Sequence, residues 1–150
     1  MTANKTLYLM VGFPRAGKST WIYNNKERLD AIVIENDWIR ENILHAPNSK
    51  STEPAIWMIV DSCMRILLSQ GKNVILDGIN LTSFTRKFFI DAAKECDARI
   101  VFVWINTPLE ECLSRNSRLL DHKITNEILK RVGANFESPM SHEYDEIILV

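Results

Sequence analysis

Gly12-Phe13-Pro14-Arg15-Ala16-Gly17-Lys18-Ser19 decides how this chain is read. The stretch fits the pattern glycine, four residues, glycine, lysine and a hydroxyl side chain without a mismatch. Its flanks agree. The apolar run Thr6–Val11 precedes it, of the type buried as a strand, and a helical stretch, Lys18–Arg28, follows. Glycines let successive backbone N–H groups curl around phosphate oxygens, and the start of the helix adds a favourable dipole. In such a loop Lys18 reaches the β- and γ-phosphates and the Ser19 hydroxyl ligates Mg²⁺. The expectation is therefore binding of a nucleoside triphosphate, with the acceptor left open.

Working outward, further short apolar runs occur at Ala31–Ile34, Asn73–Leu76, Arg99–Ile105 and Glu146–Val150. They are continuous rather than alternating, as in strands covered on both faces. Helical stretches separate them: Pro54–Gln70, stopping at Gly71; Ser83–Glu95, capped by Thr82; one from Pro108 to about Arg118; and one capped by Thr125 that runs to about Asn135. Strands alternating with helices predict an α/β fold, a parallel sheet with helices on both faces. With 150 residues the chain has room for a single domain. His45–Glu53 is expected to be a mobile surface loop.

Lys and Arg number 18 against 19 Asp and Glu, for a net charge of -1. That balance disfavours coating long nucleic acid or a membrane by bulk charge, while leaving room for a small basic pocket. No apolar run is long enough to span a membrane and no leader opens the chain. Cys63, Cys96 and Cys112 form no C-x-x-C pair, which suits reduced thiols and a cytoplasmic setting. His45, His122 and His142 share no ligand spacing and read as surface residues.

The acceptor side is expected after the second strand. Asp37 and Arg40 are three apart and share a face of a helical turn. A carboxylate there could take a hydroxyl proton, and an arginine could hold the acceptor or the transferring group. A plain surface ion pair fits the same spacing. Asp77 ends the third strand and is a candidate to hold Mg²⁺ through water. Arg115–Arg131 is rich in basic residues and suits a lid over the triphosphate, with Arg115 or Arg118 acting on phosphate. Ile56, Ile59, Cys63 and Leu67 form a helical core stripe that Trp57 and Met64 widen. Trp38 is also expected in the core, although a nucleobase could stack on it.

These residues together resemble the small phosphate-loop kinases typified by polynucleotide 5′-hydroxyl kinase domains, a fold shared with zeta-toxin-like kinases. Gly12-x-Pro14-x-x-Gly17-Lys18-Ser19-Thr20, Asp37-x-x-Arg40, Asp77-x-x-Asn80-Leu81-Thr82, the stretch Asn106–Arg118, and Phe136-Glu137-Ser138-Pro139 followed by Glu143 carry the resemblance. It departs at Ile79, where a threonine is usual, and at apolar Leu119 and Leu120. No Asp-x-Asp-x-Thr phosphatase motif is present. The resemblance implies a five-stranded sheet in the order 2-3-1-4-5 with a helical lid. It also implies transfer of the γ-phosphate of ATP to 5′-hydroxyl ends of DNA or RNA. On that reading Gly12, Pro14, Ala16, Gly17, Lys18, Ser19 and Thr20 hold the donor, and Ser19 with Asp77 serves Mg²⁺. Asp37, Arg40, Lys18, Arg118 and Arg115 carry the transfer. A small-molecule or nucleotide kinase, and a phosphate-loop switch that phosphorylates nothing, fit the same loop.

Overall fold

The structure is a computed structural model that describes residues 4–45, 50–78, 80–120 and 124–150. Within them the chain alternates β1 (Thr6–Val11), α1 (Lys18–Asn25), β2 (Ala31–Glu35), α2 (Asn36–Asn42), α3 (Glu53–Ser69), β3 (Asn73–Asp77), α4 (Ser83–Glu95), β4 (Arg99–Trp104), α5 (Leu109–Arg118), α6 (Asn126–Ala134) and β5 (Glu146–Leu149). The strands form one parallel sheet in the order β2-β3-β1-β4-β5, as expected.

The central strand explains the two layers. Leu7, Leu9 and Val11 alternate with Tyr8 and Met10, and successive strand side chains point to opposite faces. The first set packs with Val74, Leu76, Phe102 and the inner faces of α3 and α4. Met10 packs with Ile75, Val103, Ile22, Cys112 and Leu129 on the other face. Only the three inner strands are covered on both sides. In β2 and β5 several residues stay exposed, because an edge strand has one flank without a neighbour. The continuous apolar pattern overstated their burial.

Local signals place the helix ends. Thr82 Oγ1 accepts from the Thr85 amide at 3.3 Å, and Thr125 Oγ1 from the Ile128 amide at 3.2 Å, so both expected caps form. Pro54 sits in the first turn of α3, where its missing N–H costs no bond. The buried stripe of α3 is Ile56, Val60, Met64 and Leu68. It is turned by about one residue from the expected stripe, leaving Ile59 and Leu67 at its flank and Cys63 exposed. His45 and His142 are exposed, as read from the sequence; His122 lies outside the described residues. In the expected loop His45–Glu53, Lys50–Thr52 form a turn of 3-10 helix and Glu53 begins α3; residues 46–49 lie outside the described residues.

Adjacent strands β1 and β4 send the chain in opposite directions across the sheet. A crevice opens at such a point beyond the carboxyl ends of the strands. The loop after β1, the turn into α2, the end of β3 and the last turns of α5 all meet there.

Candidate active site

The loop between β1 and α1 takes a shape that two glycines permit. Gly12 has φ +156°, and a Cβ there would lie 2.9 Å from the Ile105 carbonyl oxygen. Gly17, which precedes α1, has φ +111°, in the left-handed region that other residues rarely adopt. The Ala16 amide donates to Phe13 O at 3.1 Å and closes the turn. The Ala16 carbonyl is held from outside the loop, accepting from Thr107 Oγ1 at 2.7 Å and from Arg115 Nη1 at 3.0 Å. Arg115 Nη1 also reaches Arg15 O at 3.0 Å, and Arg15 Nε donates to Asn116 Oδ1 at 3.1 Å. Asn116 in turn donates to Ile124 O at 2.9 Å and to Asn126 Oδ1 at 2.8 Å, joining the phosphate loop, α5 and the approach to α6.

A cleft of about 780 Å³ opens over this loop. Pro14, Gly17, Lys18, Ser19 and Thr20 line it from the loop side; Asp37 and Arg40 line it from α2; Asp77 from β3; and Arg115 and Arg118 from α5. Gly12 and Ala16 sit behind this wall and shape it. The structure thus gathers the expected donor, acceptor-side and lid residues, Gly12 to Thr20, Asp37, Arg40, Asp77, Arg115 and Arg118, around one cavity or its supporting loop.

Lys18 Nζ donates to Gly12 O at 3.0 Å and Phe13 O at 2.8 Å, so it lies folded onto its own loop. Burial holds it below the ordinary lysine value, opposed by the negative charge of Asp77. Asp77 is pushed up to about 6, chiefly by burial; Lys18 opposes the shift while Glu35 and Asp37 add to it. The Ser19 hydroxyl and Asp77 carboxylate are hard oxygen donors of the kind Mg²⁺ takes. Among the described residues no group of three or more His, Cys, Asp or Glu side chains could hold a metal ion. A cation here would need oxygens from the nucleotide or water as well, as Mg²⁺ commonly does. Asn36 also lines the cleft, and its Oδ1 atom is buried without a hydrogen-bond partner.

On α2, Arg40 pairs with Asp37 and, through Nη2, with Glu53 Oε1 at 2.5 Å. Arg40 is 17% exposed and Asp37 85% exposed. The pair is thus more than a solvated contact: the arginine is packed and fixed from α3, while the carboxylate it holds is exposed at the cleft. Glu53 was not legible as a partner, because it lies 13 residues away across a loop.

Other outcomes differ from the sequence reading. Trp38 is 55% exposed, outside the core and outside the cleft lining. Trp57 is half-buried and lines the cleft rather than filling the core. Arg115 holds the phosphate loop directly, whereas exposed Arg118 donates from Nη2 to Ser114 Oγ at 3.1 Å. Lys123 and Asp121 of the expected lid lie outside the described residues, as does Ile79.

A second framework holds the cleft from behind. Arg86 on α4 is fully buried and pairs with Glu143 at 2.8 Å, and its Nη1 donates to Glu137 O at 2.8 Å and Asn80 O at 3.2 Å. Asn80 Nδ2 donates to Met10 O at 2.9 Å. The Glu137 carboxylate accepts from the Ser83 amide at 2.9 Å, and that bond holds it below the usual carboxylate range. Phe136 stacks edge-on against Phe13 of the loop with centroids 5.2 Å apart. The carboxyl-terminal Phe-Glu-x-Pro stretch therefore braces the phosphate loop.

The chain is similar to known kinases and nucleotide-binding proteins. Against the L-seryl-tRNA(Sec) kinase of Methanococcus maripaludis it is 30% identical over 138 residues, which cover 89% of this chain and 53% of that protein. The chain thus spans about half the length of the curated relative it matches. Among solved structures, Chaetomium thermophilum Kti12 in complex with ADP-AlF3 superposes with a TM-score of 0.81 at 16% identity, covering 96% of this chain and 88% of that one. A chain of the Pnkp1/Rnl/Hen1 RNA repair complex gives 0.78 at 22% identity, covering 90% of this chain and 45% of that one. These likenesses agree with the phosphate-loop kinase fold seen here. A family model described as AAA domain matches residues 7–139, and the chain belongs to that family.

Proposed function

We propose that this protein is an ATP-dependent phosphotransferase that moves the γ-phosphate to a hydroxyl at the 5′ end of DNA or RNA. The observation that carries the reading is the single cleft shared by the phosphate loop and the Asp37–Arg40–Glu53 group. In this reading the amides at the start of α1 receive the phosphates. Lys18 leaves the Gly12 and Phe13 carbonyls for the β- and γ-phosphate oxygens. Ser19, with Asp77 through water, would hold Mg²⁺, which when bound neutralises charge on the β- and γ-phosphates. Asp37 accepts the proton of the acceptor hydroxyl as its oxygen bonds to the γ-phosphorus. The bond from that phosphorus to the β–γ bridging oxygen breaks, and ADP leaves with the electron pair. Arg40 fixes Asp37 and the acceptor side. Arg118, aided by Arg115, meets the charge on the transferring group. Such an enzyme draws on ATP in the cytoplasm.

A second acceptor is favoured by the 30% identity to an L-seryl-tRNA(Sec) kinase. There the hydroxyl would be that of a seryl group carried on tRNA. Incubating the pure protein with γ-labelled ATP and either a 5′-hydroxyl oligonucleotide or seryl-tRNA tests both readings. Label on the oligonucleotide supports the first, and label on seryl-tRNA alone supports the second. Label only on a nucleoside or sugar, or ATP binding with no labelled acceptor, would discard both.

A further inference from the structure

Next to the cleft lies an apolar groove of about 480 Å³ lined by Glu53, Pro54, Trp57, Met58 and Phe88. Glu53 and Trp57 line both cavities, so the groove is a side pocket of the cleft. Glu53 is the residue that grips Arg40, and Trp57 follows it by one turn of α3 on the same face. The groove therefore begins where the acceptor is expected to enter. Its floor is aromatic. The Trp57 ring lies 4.9 Å from Phe88, 5.7 Å from Phe89 and 6.3 Å from Phe84, centroid to centroid. Met58 is 71% exposed and Phe84 77% exposed on the same border between α3 and α4. Large apolar side chains gathered in the open beside a cleft mark a binding surface more often than a defect of packing.

We infer that this groove takes the base of the acceptor's end nucleotide, with Trp57 and Phe88 as its stacking surfaces. The inference rests on the proposed nucleic-acid reading. The occupant follows from continuity: whatever carries the accepted hydroxyl past Arg40 and Glu53 meets Trp57 next. The wall chemistry narrows it further. A sugar would need hydrogen-bonding groups along the groove, and Pro54, Trp57, Met58 and Phe88 offer a ring, an indole, a thioether and a phenyl face. A phosphate would meet the Glu53 carboxylate at the rim. A neutral planar base satisfies both conditions, and base–aromatic stacking tolerates any base because each has a π face. The sequence hinted at a stacking tryptophan in Trp38, but the one placed beside the acceptor group is Trp57.

The test compares kcat/KM on two oligonucleotides that share a 5′-hydroxyl, one intact and one abasic at the end residue. Stacking losses of the usual size predict that the intact end is used roughly five-fold to one-hundred-fold better. That ratio falls toward one in Phe88→Leu and Trp57→Leu, which keep apolar bulk but lose the ring. It also falls in Met58→Glu, whose exposed position puts folding at little risk. Equal use of both ends by the wild-type protein would overturn the inference and leave the kinase reading standing. A ratio that persists in the folded variants would place base recognition elsewhere and overturn it too. Failure to label either oligonucleotide while ATP still binds would remove the nucleic-acid reading and this inference together.

Discussion

Arg115 reaches the carbonyl oxygen of Ala16 at 3.0 Å, so a residue of α5 sets the backbone of the phosphate loop some hundred positions earlier in the chain. The same Nη1 holds Arg15 O, and Nη2 pairs with Glu111 at 2.5 Å. Arg115 is engaged before any nucleotide arrives. Arg118, one turn further on, is exposed and faces the same cleft.

The two arginines should therefore fail differently. Arg115→Ala removes charged hydrogen bonds from the loop and should weaken ATP binding by roughly ten-fold or more. Arg118→Ala should leave ATP affinity near that of the wild type and slow the transfer step, by up to about 10³–10⁵ if it acts as an arginine finger. Equilibrium ATP binding and single-turnover labelling on both variants separate the effects. Equal loss of affinity in both would place Arg118 in the loop's support.

The buried pair Arg86–Glu143 should dominate stability away from the cleft. Replacing one partner leaves a buried charge unpaired, a loss of about 3–5 kcal/mol. For a domain of this size that lowers Tm by roughly 6–20 °C. Arg86→Met alone should show the full loss, and Arg86→Met with Glu143→Leu should recover part of it. Thermal melts of the three proteins decide; a single variant that melts with the wild type would mean that the pair contributes nothing.

Asp77 should give stability a pH dependence of definite sign. Its folded value, about 6, lies above the ordinary 3.8, so the folded state holds the proton more tightly. That contribution is full below about pH 4 and is lost as pH rises through about 6. Asp77→Asn has no proton to lose there. Its Tm should rise relative to the wild type between about pH 4 and pH 7 in nucleotide-free protein. Melting curves that stay parallel across that window would contradict the shift.

The phosphate loop and the alternation of strands with helices are legible because both rest on local pattern, a fixed spacing in Gly12–Ser19 and short apolar runs between helices; the strand order follows only from the resemblance to phosphate-loop kinases. Asp37 and Arg40 were legible as a pair but not as a clamped one, since Glu53 reaches Arg40 only when α2 and α3 pack. Arg86 and Glu143 are 57 positions apart and leave no local signature, although Glu143 lies in the carboxyl-terminal pattern. The place of Trp57 is not legible in the sequence for a geometric reason. A helical stripe of apolar residues has flanks, and periodicity does not say which flank meets the sheet and which meets a cleft. On α3 the sheet took Val60, Met64 and Leu68, leaving Trp57 for the cleft.

In the proposed reaction Asp37 accepts the acceptor's proton across the cleft from the phosphate loop. The most direct test is Asp37→Asn, with ATP affinity and 5′-hydroxyl oligonucleotide labelling measured on one folded sample. Loss of a general base should slow transfer by about 10²–10⁴. ATP affinity should hold, because Lys18, Ser19 and the loop backbone lie after a different strand. Transfer at the wild-type rate, or a parallel loss of ATP binding, would contradict the account.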